Sequence, residues 1–76
     1  MDLTTVPASA KAKAALKAAL QSAGEGLSRG DRLLLLEGAM YGAGEVESGV
    51  EAPPTGLDLL GPFFVQGRDL AVKTLR

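Results

Sequence analysis

The spacing of hydrophobic and polar positions changes several times along this chain, and each change marks an expected boundary. From Ala8 to Ala23 the run A-S-A-K-A-K-A-A-L-K-A-A-L-Q-S-A is built largely from strong helix formers. At about 100° per residue, Ala8, Ala12, Ala15, Leu16, Ala19, Leu20 and Ala23 share one arc; Lys11, Lys13, Lys17, Gln21 and Ser22 fall outside it. An amphipathic helix is predicted. Thr5 is its expected N-cap, and Pro7 suits the first turn, where its missing N–H has no partner to lose. The apolar face is mostly methyl groups, which lets another helix approach closely. Gly24 and Gly26 then stop the helix, one of them as a left-handed cap.

The stretch from Ser28 to Gly44 is the most apolar of the chain. Four leucines, Leu33 to Leu36, are followed by glycine, alanine, Met40 and Tyr41, with Glu37 the one charge after Arg32. Ser28 and Asp31 have the spacing of a capping box, so a second helix is predicted from about Arg29 to Ala43. Asp31, Arg32 and Glu37 point in three directions around it, which leaves leucine on nearly every side and implies burial on more than one face. Gly38 and Gly42 would form a smooth stripe for a neighbouring helix. In a glycine-rich chain without a membrane span, chance is the favoured explanation of that spacing. A fully buried strand over residues 32–38 is the rival reading.

Residues 45–52 alternate: Val46, Ser48, Val50 and Ala52 on one side, Glu45, Glu47, Gly49 and Glu51 on the other. That is the period of a half-exposed strand or extended segment, ended by Pro53 and Pro54. Thr55 opens an expected helical turn through Leu60, closed by Gly61. From Pro62 onward Phe63, Phe64, Gly67, Leu70, Ala71, Thr74 and Leu75 follow helical spacing, with Asp69 and Lys73 as a favourable pair one turn apart. Gly67 is the weak point and offers a hairpin turn with Arg68 instead. The expected fold is mainly α: a small helical hairpin over about 6–23 and 29–43, an extended acidic segment over 44–54, and a C-terminal helix from 62. The alternative is α+β, with the N-terminal helix packed on a small sheet. Residues 1–76 make a single small domain.

Composition sharpens this picture. A chain of 76 residues buries only about 60% of the surface its unfolded form exposes, so it needs a staple or a partner. It has neither cysteine nor histidine, which excludes disulfides and leaves a structural zinc site without its usual ligands. Yet hydrophobic residues make up 46% and mean hydropathy is +0.15, more apolar character than so short a chain can cover alone. The expected function is therefore a non-enzymatic protein–protein interaction or assembly subunit, part of a larger complex or homo-oligomer. The expected contact residues are Leu33, Leu34, Leu35, Leu36, Met40, Tyr41, Phe63 and Phe64. The partner is expected to be protein, self or other.

Charge and motifs limit the other classes. The longest apolar run, Leu33 to Leu36, falls far short of the ~20 residues that span a bilayer, so no membrane is expected. The start M-D-L-T-T-V-P lacks a basic region leading into an apolar one; no secretion signal is expected, and the cytoplasm or the interior of a large assembly is the expected location. Ser–His–Asp and Cys–His sites are impossible without His and Cys. Nothing orients Ser9, Ser22 or Ser28 toward Lys13 or Lys17. Glu45, Glu47 and Glu51 would share a solvated face, no calcium-loop or phosphate-loop spacing occurs, and no cofactor is expected. Arg29-Gly30-Asp31 spells an adhesion tripeptide by chance. Residues 11–17 carry three lysines while 37–58 carry five acids and no base, a pattern that suits either solvated faces or complementary neighbouring subunits. The second reading is a small helix-turn-helix-like nucleic-acid-binding module, with Lys13, Lys17, Arg29 and Arg32 on phosphate. Against it, residues 33–43 offer almost no polar side chain for base edges, and net charge is −1.

Overall fold

A computed structural model describes residues 10–49 and 56–76. Three helices order the chain: α1 (Ala10–Gly24), α2 (Arg29–Ser48) and α3 (Pro62–Leu75), with a short 3-10 turn over Leu57–Leu60 ahead of α3. The fold is mainly α, and among the described residues there is no strand. Local signals account for the helix ends. The Ser28 hydroxyl accepts a hydrogen bond from the Asp31 N–H (3.2 Å) and caps α2, as its spacing predicts. Pro62 occupies the first turn of α3. Of the two glycines expected to end α1, Gly26 takes the left-handed conformation (φ 80°), while Gly24 is the last helical residue and is buried.

The expected end of α2 near Ala43 is corrected. The helix continues through Ser48, so residues 45–48 are helical rather than extended. The left-handed Gly49 (φ 76°) ends it, donating its N–H to the carbonyls of Glu45 and Val46. Residues 50–52 of the expected extended segment, Pro53, Pro54 and the Thr55 cap, and also the Thr5–Ser9 start of the first helix, lie outside the described residues. The strand readings of 32–38 and of 63–75 are likewise replaced by helix.

The main contact is between α2 and α3; α1 leans on α3 and touches α2 far less, so the expected hairpin of the first two helices is not the principal pair. The reason lies in the glycines. An added Cβ on Gly38 would overlap the carbonyl oxygen of Phe64 and reach its carbonyl carbon at 2.8 Å and the Arg68 nitrogen at 3.0 Å. On Gly67 it would overlap the Leu35 carbonyl oxygen and lie 3.0 Å from the Ala39 nitrogen. On Gly42 it would come within 2.5 Å of the Arg68 carbonyl oxygen. The spacing of Gly38 and Gly42 is thus no accident: it meets a matching small-residue pair, Gly67 and Ala71, and the two backbones lie in contact. Each glycine also directs a Cα–H at a facing carbonyl, a weak attraction worth about 0.5–1 kcal/mol where it forms. Around this seam the buried apolar residues are Leu35, Ala39, Phe64, Ala71 and Leu75, with Leu57 contributed by the 3-10 turn. From α1, Ala12, Leu16 and Leu20 pack against Ala39, Ala71 and Leu75, three members of the predicted apolar arc. Ala15, placed on that arc, is exposed.

Gly38→Ala and Gly67→Ala are expected to destabilise the chain by at least about 2 kcal/mol each, because the facing atoms are backbone and cannot move aside. Gly44→Ala, where an added Cβ meets nothing, is expected to stabilise it by about 0.5–1 kcal/mol through helix propensity alone. Urea denaturation of the three variants checks the contrast.

Candidate interaction surface

The seam with α3 uses one side of α2 and leaves the opposite side without cover from the described chain. At about 100° per residue, Leu33, Leu36, Met40 and Gly44 fall on that outer side, with Arg29 at one end of the line and Glu47 at the other. Leu33 is 52% exposed, Leu36 46% and Met40 74%, an apolar line along about two turns of a surface helix. Because α1 rests mainly on α3, a groove of about 630 Å³ opens between α1 and α2. Leu16, Leu20 and Leu75 line its interior, Leu36 and Ala43 join it to the outer line, and Lys13, Lys17, Arg32 and Glu47 stand on its rim.

The expected contact residues divide between inside and outside. Leu33, Leu36, Met40 and Tyr41 are exposed; Leu34 and Phe63 are half-buried; Leu35 and Phe64 belong to the core. Tyr41 is tied to its own chain by an aromatic contact with Phe64, ring centroids 5.8 Å apart and planes at 58°. Among the described residues, two exposed large apolar residues were not among those expected, Leu59 (90% exposed) and Leu60 on the 3-10 turn. The signal for them in the sequence is the pair of leucines between the Asp58 and Gly61 turn residues.

Glu45, expected on a solvated face, is instead buried at the end of the α2–α3 seam. The Arg68 side chain donates from Nε to its Oε1 (2.6 Å) and from Nη2 to its Oε2 (3.2 Å), while Nη1 donates to Asp69 Oδ1 (3.0 Å). Both members of the pair are buried, and the hydrogen-bonded Glu45 carboxylate raises the Arg68 proton affinity above even its ordinary value, outweighing the opposing effect of burial. Asp69 thus pairs with its neighbour Arg68. Every nitrogen of the guanidinium is used within the chain, and both carboxylate oxygens are taken. The pair holds register between two helices, with three of the five guanidinium N–H donors and both carboxylate oxygens committed within the chain.

Among the described residues no group of three acidic side chains is gathered as a metal site, and no helix is long and apolar enough to cross a membrane. No protein-family model, curated protein or solved structure matches this chain.

Removing one member of the buried pair leaves the other charged and uncompensated. Arg68→Met and Glu45→Met are each expected to cost about 3–5 kcal/mol, and the doubly apolar Glu45→Met/Arg68→Met to recover most of that loss. A double-mutant cycle by chemical denaturation measures the coupling.

Proposed function

We propose that this chain is a non-enzymatic protein–protein interaction or assembly module that works through the outer face of α2. The observation that carries the reading is the exposed line Leu33–Leu36–Met40 on the side of α2 opposite the glycine seam. The buried positions of the helix are Gly38, Gly42, Ala39, Leu35 and the ion-paired Glu45, while Leu33, Leu36 and Met40 point outward. A helix stabilised only within its own chain would favour the reverse arrangement, since large side chains gain most from leaving water. Apolar surface of this kind, bordered by charged residues, is the usual mark of an association site.

The same geometry weighs against a nucleic-acid module. In a helix-turn-helix the second helix presents polar side chains to the groove and packs on the first. Here α2 pairs with α3, and Glu37 and Glu47 flank its outer line, where they would repel phosphate.

A photoreactive phenylalanine analogue placed at position 40 tests the reading in the native host. Irradiation is expected to give discrete protein adducts from that position and none from exposed Ala18 on α1. Equal labelling at both positions, or none at 40, would overturn the assignment of this face.

A further inference from the structure

We infer that the occupant of this outer face is a second copy of the same chain, its α2 laid antiparallel on the first; the inference rests on the interaction reading just given. The charges along the line decide the matter. Arg29 lies at the N-terminal end of α2 and Glu47 near its C-terminal end, both exposed, and among the described residues neither makes an ion pair. Both carry the wrong sign for the helix they sit on. The N-terminal end of a helix is the positive end of its dipole and favours acids; the C-terminal end favours bases. Asp31 alone follows that preference at the start of α2, and its last turn holds no base. A solitary α2 is therefore disfavoured by Arg29 and Glu47, and a neighbour running the opposite way removes both penalties at once. It brings the negative end of its dipole to Arg29 and the positive end to Glu47.

A two-fold axis passing between Leu36 and Met40 fits the line to itself. At about 100° and 1.5 Å per residue, Leu36 then meets Met40 of the second copy, and Leu33 meets Ala43 of the second copy. Arg29 faces Glu47 of the second copy, which also comes beside Arg32. Every such contact occurs twice. The open space at Gly44, where an added Cβ would meet nothing, leaves room for the incoming Arg32 side chain. A parallel pair would instead bring arginine to arginine and glutamate to glutamate. The groove-lining Lys13 and Lys17 share the rim with Glu47 without forming an ion pair to it, so the carboxylate is available.

Charge exchange tests this arrangement in the purified full chain. Sedimentation equilibrium at low salt, over a concentration series reaching about 1 mM, is expected to show a monomer–dimer equilibrium for the wild type. Arg29→Glu and Glu47→Arg should each weaken the dimer about tenfold or more, since two contacts turn repulsive together. The double variant should return to within about threefold of the wild type. Both reversals place a favourable charge on the helix dipole, so the variants are expected to remain folded by circular dichroism. Met40→Asp should abolish the dimer. A wild-type chain monomeric throughout the series, or a dimer indifferent to charge exchange, overturns the inference. If the position-40 photoprobe still forms adducts in cells in that event, the interaction reading survives with a different partner; if it forms none, both fall.

Discussion

Everything in this fold depends on the approach of two backbones. The α2–α3 seam is made where side chains are missing: Gly38 lies on the Phe64–Arg68 turn of one helix, and Gly67 on the Leu35–Ala39 turn of the other. Contact between main chains brings many atoms within dispersion range, but it removes little apolar surface from water. The seam is thus held by close fit rather than by large hydrophobic residues, and its register must be unique. Arg68 and Glu45 enforce that register. Sliding either helix by one turn, about 5.4 Å, would strand a buried guanidinium and press side chains into the places glycine leaves empty.

With Gly38, Ala39 and Gly42 of α2 turned toward α3 beside Leu35, helical spacing sets Leu33, Leu36 and Met40 on its outer side. The exposed leucine and methionine line is therefore a direct result of how the core is built. The secondary role of α1 follows as well. It contributes half-buried alanines and leucines, but no side chain of its own is fully enclosed, and it leaves an apolar groove beside α2. In energetic terms the α2–α3 pair is the body of the fold, and α1 is a lightly attached brace.

Features set by neighbouring residues were legible in the sequence. The α1 face, the Ser28 cap, the Pro62 start and a left-handed glycine after α1 all arise from interactions within a few positions. What was not legible depended on distant partners. Gly38 and Gly42 have no meaning until Gly67 and Ala71 lie opposite them, and a four-residue glycine spacing is common by chance. Glu45 was obscured by its neighbours: the alternation Glu45–Val46–Glu47–Ser48 reads as a strand, although at helical spacing Glu45 continues the face of Gly38 and Gly42. That continuity was the available clue. The contact residues were legible as a group but not as individuals. Four consecutive leucines encircle a helix, and only the position of the seam separates buried Leu35 from exposed Leu33 and Leu36.

The glycine seam also bears on how this protein responds to temperature. The heat capacity change of unfolding arises mostly from apolar surface newly exposed to water, partly cancelled by polar surface. A core rich in glycine, alanine and main-chain contact releases little of the first and much of the second. Its heat capacity change per residue therefore falls below the usual ~12–15 cal/mol/K, and the curve of stability against temperature is shallow. A flatter dome of this kind changes slope slowly with temperature and sets the cold and heat limits of the folded state far apart.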